Sequence, residues 1–193
     1  MQKLVAGLLI ATALWSEALT FGPREGAKFS FEVYKTGLMS GKKHDFTFDR
    51  FSGKADFRPE DPGKSRVEFV LEAKSLQCHD DWSPAKGSLE KIVREALQDT
   101  LKVVQHPEIR FQSTAVTAGA AGQYEVRGDL TLRGVTKPVT VQVSTRRKGN
   151  VLTVDGHSKF KMTDFGIKPP SAALGAVGTK PEIQVTFQMV TGS

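Results

Sequence analysis

The chain has a single cysteine among its 193 residues, Cys78, so it cannot form an internal disulfide. It has no Gly-x-Ser-x-Gly nucleophile elbow, no phosphate-binding loop and no dinucleotide-binding fingerprint. After residue 18 it has no apolar run long enough to cross a bilayer, which needs ~20 residues. The sequence therefore argues against a disulfide-stapled scaffold and against several common enzyme classes, and it predicts no transmembrane segment.

Aromatic residues with a polar group are also scarce. There are two Tyr and two Trp against twelve Phe. Phe has no hydrogen-bonding group, so a Phe-rich interior is dry and cannot orient a ligand through hydrogen bonds.

The amino terminus has the pattern of a secretory signal. Lys3 gives a positive start, Leu4 to Trp15 is uncharged and apolar, and Ser16-Glu17-Ala18 places small residues before a cleavage point. The apolar run of about 12 residues is too short for a membrane anchor. We expect a signal peptide at 1–18 and a mature domain at 19–193 that is periplasmic or secreted.

The formal net charge is +6, which suits anionic lipid headgroups or acidic polymers. Nucleic acid is not an expected partner, because the basic residues are scattered and no aromatic residues interleave with them. The densest basic cluster, Arg146-Arg147-Lys148, precedes the turn Gly149-Asn150 and is interpreted as a solvated hairpin tip.

Alternation of apolar and polar residues with period two dominates the chain. Each such run places one row of side chains on a single face of a strand. Short turns between the runs imply antiparallel pairing, and about eight strands indicate an all-β sandwich or barrel. The alternating segments are 29–33, 46–48, 67–73, 109–111, 124–132, 139–143, 152–162 and 183–189.

One segment has helical spacing instead. Leu89, Ile92, Val93, Ala96 and Leu97 form an amphipathic stripe that continues to Leu101 and Val104. Ser88 is the predicted N-cap and Pro107 the stop. The spacing predicts a helix over about 88–104 that lies across an end or side of the barrel.

Several motifs resemble those of the YceI-like family of lipid- and polyisoprenoid-binding proteins. The most specific is Asp129-Leu-Thr-Leu-Arg-Gly-Val-Thr-Lys-Pro-Val139. Asp164-Phe-Gly-Ile167, the strand His106 to Ser113, Phe29 to Val33 and the turn Phe51-Ser-Gly53 are similar to family motifs too, in the same order. The likeness runs from about Lys28 to Val190.

The resemblance implies an extended, lipocalin-like antiparallel β-barrel that holds an isoprenoid, an isoprenoid quinone or a fatty-acid-like chain. We expect an exported binding protein that carries or sequesters such a lipid, with no cofactor and no enzymatic activity; a homodimer is left open. The small residues Gly128, Gly156 and Ser158, at inward positions, are consistent with free space inside. The predicted cavity-lining residues are Phe29, Phe31, Val33, Phe46, Phe48, Val67, Phe69, Leu71, Leu130, Leu132, Val141, Phe160, Met162, Phe165, Val185 and Phe187.

A polar headgroup would need its own contacts. Lys35, Lys42 and Lys43 flank the turn between two predicted strands, and we hypothesise that they meet an anionic headgroup at the barrel mouth. Solvated lysines are the alternative interpretation.

Catalytic and metal sites find little support. Cys78-His79-Asp80-Asp81 is the one dense polar cluster, but neighbours in a strand point to opposite faces. His44, His106 and His157 are dispersed in the sequence. No catalytic or metal-ligating residue is predicted. A barrel enzyme with His79 or Asp80 in its site and an envelope module with a filled core remain the alternatives.

Overall fold

The fold is a curled antiparallel sheet, seen in a computed structural model that describes residues 16–82 and 87–191. Within those ranges there are twelve strands. They are β1 (Glu17–Phe21), β2 (Lys28–Gly37), β3 (Lys43–Phe48), β4 (Phe51–Phe57), β5 (Arg66–Glu72), β6 (Leu76–Cys78), β7 (Glu108–Ala118), β8 (Gln123–Leu132), β9 (Val135–Lys148), β10 (Val151–Lys161), β11 (Ser171–Ala172) and β12 (Val177–Val190).

The strand order shows how the sheet curls round. Hydrogen-bonded neighbours follow the order β1-β4-β5-β7-β8-β9-β10-β12-β2-β3-β6, with β11 beside β12. β3 and β4 lie near opposite ends of this order, yet only Asp49 and Arg50 separate them in the chain. The two ends of the sheet therefore meet at this bend, and the inner face encloses the core.

Register places the predicted apolar rows on the inner face. Phe29, Phe31 and Val33 of β2 lie opposite Phe187, Val185 and Ile183 of β12. Because side chains alternate across a strand, both rows point to the same side of the sheet. The observed register thus confirms the predicted antiparallel barrel-like sheet.

The prediction of about eight strands undercounts the hydrogen-bonded segments. Two extra segments arise from bends, since β3 continues into β4, and β5 continues through the 3₁₀ turn Ala73–Ser75 into β6. The other two, β1 and the two-residue β11, lie outside the alternating segments of the sequence.

The helix is shorter than the predicted 88–104. It comprises α1 (Ser88–Glu95) and one π-helical stretch, Ala96–Thr100. It ends before Pro107 because Lys102 has a positive φ of 50°, which no α-helix accommodates. Gly87, rather than Ser88, occupies the N-cap position.

Further short elements are the 3₁₀ turns Pro62–Lys64, Met162–Phe165 and Ala173–Gly175. In the part of the chain that the structure covers, no helix is both long and apolar enough to cross a membrane. The predicted signal sequence falls mostly on residues 1–15, which lie outside the described residues.

Candidate functional site

The curled sheet encloses a cavity of about 1130 Å³. This is slightly above the ~300–1,000 Å³ common for small-molecule sites. Ten of the twelve phenylalanines line it, together with many Val, Leu and Ile side chains. The interior is therefore not filled by its own side chains, and its wall is overwhelmingly apolar.

Phenylalanine rings form one continuous wall of the cavity. Phe29 stacks on Phe69 at 5.7 Å between ring centroids and on Phe187 at 6.0 Å. Phe31 stacks on Phe46 at 4.9 Å. Such offset pairs stabilise the fold by ~0.5–1.5 kcal/mol each beyond their burial, so ring packing stabilises this wall without any hydrogen bond.

Fifteen of the sixteen predicted lining residues border the cavity. The exception is Phe165, which follows β10 in the turn Met162–Phe165 and is only 1% exposed. Its ring packs edge-on against Phe160 at 5.4 Å, so Phe165 supports the wall from behind. Contact of the fifteen with a ligand stays a prediction.

The small inward residues do not all leave space. A Cβ atom at Gly156 would lie 2.1 Å from the ring of Phe187, and one at Gly128 would lie 2.5 Å from the ring of Phe111. The interpretation of these two glycines as free space is wrong, because they receive the Phe rings that line the cavity. Ser158 does border the cavity.

Several lining residues were not nominated from the sequence. Leu19 and Phe21 come from β1, where no strand was expected, and Ile92 and Ala96 come from the helix. Tyr124 and Val126 share the alternation of Leu130, so the period-two pattern could have identified them.

Charge is confined to one end of the cavity. The eight Lys, Arg, His, Asp and Glu residues of the lining all lie on the helix, in the loops beside it or near the ends of strands on the helix side. At the opposite end the polar lining residues are Ser65, Tyr124 and Thr145. The cavity is thus suited to an elongated molecule that is apolar over most of its length. The eight are Lys35, His44, Lys91, Glu95, Asp99, Arg110, Arg133 and Lys168.

The three lysines predicted to contact a headgroup do not lie together in the structure. Lys35 shares the inward face of Phe31 and Val33 and borders the cavity, where burial lowers its pKa against the opposing effect of Asp80 and Glu95. Lys42 and Lys43 do not border the cavity. Lys43 lies opposite Tyr34 on the outer face and forms an ion pair with Glu32.

A histidine pairs with a buried carboxylate in the cavity wall. His44 lies opposite Val33, so its ring faces inward, and its Nδ1 lies 2.6 Å from Oδ2 of Asp80, whose side chain is fully buried. The backbone N–H of Asp45 donates to the other oxygen of Asp80 at 2.9 Å. Because Nδ1–H of a neutral His44 donates to the carboxylate, its Nε2 is left as an acceptor.

Cys78 completes this cluster. The ligand atoms of His44, Cys78 and Asp80 all lie within 4.8 Å of one another, close enough to hold a small divalent cation. Burial lowers the pKa of His44 and raises the pKa of Cys78 to about 11, so both groups favour their neutral forms. Without a cation the 2.6 Å contact between His44 and Asp80 is a hydrogen bond.

The sequence analysis did not predict this cluster, because it assumed that neighbouring residues in a strand point to opposite faces. That assumption holds for His79, which lies on the other face and pairs with the hydroxyl of Thr47 at 2.8 Å, away from the cavity. Cys78 and Asp80 are two residues apart and share a face, and the third member comes from β3. No sequence signal identifies His44, because its proximity depends on how β3 pairs with β6.

Comparison with known proteins gives the family. The family model described as "YceI-like domain" matches residues 23–191. The chain belongs to the YceI-like family. A UPF0312 protein of Pseudomonas putida strain W619 is 31% identical over 183 residues, covering 89% of this chain and 91% of the relative. A UPF0312 protein of Pseudomonas syringae pv. tomato is 27% identical, with 98% of each chain covered.

Solved structures agree with the YceI-like fold. Burkholderia cenocepacia BcnA has a TM-score of 0.66 at 20% identity, covering 85% of this chain and 96% of its own. A polyisoprenoid binding domain from Saccharophagus degradans has a TM-score of 0.62 at 12% identity, covering 92% and 99%. At these identities the likeness establishes the shared fold.

Proposed function

We propose that this YceI-like protein binds an apolar, lipid-like molecule inside its barrel and carries or sequesters it without chemical change. The ligand class is an isoprenoid, an isoprenoid quinone or a fatty-acid-like chain. The observation that carries the proposal is the apolar cavity of about 1130 Å³ with charge at one end only. The fold shared with a polyisoprenoid binding domain supports the same ligand class.

Hydrocarbon burial supplies the driving force. Each CH₂ group moved out of water contributes ~0.8 kcal/mol, so a chain of ten to twenty carbons would gain far more than any single polar contact. Chain ordering offsets part of this gain. Such a cavity favours ligands with long apolar chains. Discrimination among headgroups falls to the charged end, where we retain Lys35 as the headgroup contact and no longer include Lys42 or Lys43.

Enzymatic activity is not part of the proposal. His79, one of the two residues considered for a barrel enzyme, does not border the cavity. Asp80 is fully buried and already accepts hydrogen bonds from His44 and Asp45. Its visible role is to orient His44.

We also propose that the protein acts outside the cytoplasm, in the periplasm or secreted. The support is the signal-like amino-terminal sequence, with cleavage expected after Ala18. Cleavage there would leave Leu19, Thr20 and Phe21 of β1 available to pair with β4.

Organic extraction of protein isolated from its producing cells tests both proposals. Mass spectrometry of the extract is expected to show a stoichiometric isoprenoid or acyl lipid, and the protein itself should begin at Leu19. Ala55→Trp, which adds a large ring to the cavity wall, is expected to reduce the lipid recovered at least ~tenfold.

Lys54→Trp is the matched control, since Lys54 is exposed and its side chain points to the opposite face of the same strand. It should retain the lipid. A lipid-free extract from the unaltered protein, or equal loss in both variants, would refute the carrier proposal.

A further inference from the structure

The two ends of the barrel have very different surfaces. Because successive strands run in opposite directions, the connections alternate between the ends. The mouth loops are defined as the connections on the helix side, and the far loops as those at the other end. The mouth loops are residues 38–42, 101–107, 133–134 and 166–176. The far loops are residues 22–27, 58–65, 119–122 and 149–150.

Direct contacts join the mouth loops in two pairs. The N–H of Leu38 donates to the carbonyl of Ala176 at 3.0 Å. A Cβ atom at Gly134 would lie 2.8 Å from the ring of His106, so loops 101–107 and 133–134 are in contact as well. These loops form two pairs of neighbours around the charged end of the cavity.

Large apolar side chains are exposed on the mouth loops. Leu38 is 82% exposed, Val104 83% and Leu174 fully exposed. Leu174 is held outward on a left-handed backbone, with φ of 54°, which is unfavourable for a residue with a side chain. The fourth exposed large apolar residue in the described part of the chain is Val151, at 38%, beside a far loop. Apolar side chains concentrated in this way mark an interaction surface.

Charge on the mouth loops has one sign. Their charged residues are Lys42, Lys102, Arg133 and Lys168, with no acid. Among the described residues none of these four takes part in an ion pair. The far loops balance three basic residues with three acidic ones, which are Arg24, Arg58, Lys64, Glu25, Glu60 and Asp61.

Other charges near each end do not remove this contrast. The segment before the helix adds the exposed Asp81, and the turn Met162–Phe165 adds the exposed Asp164. Glu95 and Asp99 line the cavity beneath the mouth loops, and the four basic residues still outnumber the two exposed acids. At the far end Arg146 is paired with Asp155, whereas the partner of Arg147 is Glu17, which cleavage after Ala18 would remove. The far end therefore keeps some positive charge, but its one exposed large apolar side chain among the described residues is Val151.

We propose that the mouth loops dock on the surface of an anionic lipid bilayer. Leu38, Val104 and Leu174 enter the boundary between headgroups and acyl chains, and the four unpaired basic residues contact anionic headgroups. Apolar side chains surrounded by Lys and Arg bind membrane interfaces through this combination of burial and electrostatic attraction. The cavity opens at the same end, since the exposed residues Lys168, Pro170 and Ser171 border it. Docking would therefore set the opening against the bilayer.

Co-sedimentation with vesicles tests the docking surface independently of what the cavity binds. The probes are vesicles of phosphatidylglycerol and phosphatidylcholine in equal parts, and of phosphatidylcholine alone. The protein is taken in its processed form with its amino terminus verified, because residues 4–15 are apolar and would partition by themselves. Binding is expected to the anionic vesicles and to weaken steeply as salt is raised.

Two sets of substitutions separate the contributions. L38S/V104S/L174S is expected to lower partitioning onto anionic vesicles at least ~tenfold, because each side chain removes apolar area from water. K42Q/K102Q/K168Q should abolish the preference for phosphatidylglycerol and the salt dependence. V151S, at the far end, is the matched control and should bind like the unaltered protein.

Three results would overturn the proposal: no partitioning onto anionic vesicles, equal binding by the mouth variants, or an equal loss in V151S. All the substituted side chains are exposed, so the variants should fold, which circular dichroism verifies. Retention of the cavity lipid by L38S/V104S/L174S, whose three substituted residues do not border the cavity, would show that the two proposals fail or succeed separately.

Discussion

Cys78 shows how burial governs chemistry at the scale of one residue. Cys78 is 8% exposed, and burial raises the pKa of its thiol to about 11. At pH 8 its thiolate is then ~100-fold scarcer than that of an ordinary thiol. We expect iodoacetamide to label the native protein at least ~100-fold more slowly than the urea-unfolded protein. Mass spectrometry measures the labelling. Equal rates for the native and the unfolded protein would show that Cys78 is accessible and that its pKa is not raised.

Some features of single residues can be predicted from the period-two pattern of the sequence, whereas others depend on which strands pair in the fold. The inward positions of Phe31 and Val33 follow from period two alone. The His44–Asp80 hydrogen bond does not, because it joins residues 36 positions apart through the pairing of β3 with β6. The function of Gly156 was hidden for the same reason, since the Phe187 ring that covers it lies on another strand.

At the scale of elements, the bend between β3 and β4 closes the sheet, and Ser75 holds it. Ser75 is 2% exposed; its hydroxyl accepts from the N–H of Arg50 at 3.0 Å and donates to the carbonyl of Glu72 at 2.7 Å. Ser75→Ala would leave both partly buried groups without this partner. We expect a loss of ~1–3 kcal/mol in the free energy of unfolding, measured by urea denaturation.

Ser52→Ala is the control for this substitution, since Ser52 is exposed on β4. It should change the free energy of unfolding by less than ~0.5 kcal/mol. The exposed ion pair of Arg50 with Glu72 spans the same bend but contributes at most ~1 kcal/mol, because water screens it. If Ser75→Ala were as stable as Ser52→Ala, the hydroxyl would not be what secures the bend.

Elements were predictable where a pattern is local. Alternation identifies the long strands, and helical spacing identifies α1 from its first residue, Ser88. The end of the helix was not predictable, because the π-helical stretch and the positive φ of Lys102 turn the chain away before Pro107. The bend at Asp49 and Arg50 was not predicted either. The turn expected at Phe51-Ser-Gly53 is wrong, because these residues begin strand β4, and the bend before them is defined by hydrogen bonds to β5 and to the 3₁₀ turn that follows it.

For the whole molecule, antiparallel barrel architecture followed from alternation and the family motifs, but the volume inside did not. A barrel of this size can be filled by its own side chains or can hold a ligand, and the choice depends on how rings pack across the interior. Here Phe29 stacks on Phe69 and Phe187 along the wall, which keeps the rings out of the centre. That arrangement leaves the cavity of about 1130 Å³.

A fixed cavity predicts how affinity depends on ligand length. For linear fatty acids added to delipidated protein, each CH₂ that enters the cavity contributes at most ~0.8 kcal/mol, or about fourfold in Kd. Affinity should rise with chain length and reach a plateau once the cavity is full, because further carbons stay in water. Ala55→Trp removes volume from the same cavity and should move the plateau to shorter chains, whereas Lys54→Trp should not move it. Titration calorimetry over the series measures both; affinity that ignores chain length would mean that the acids bind outside the barrel.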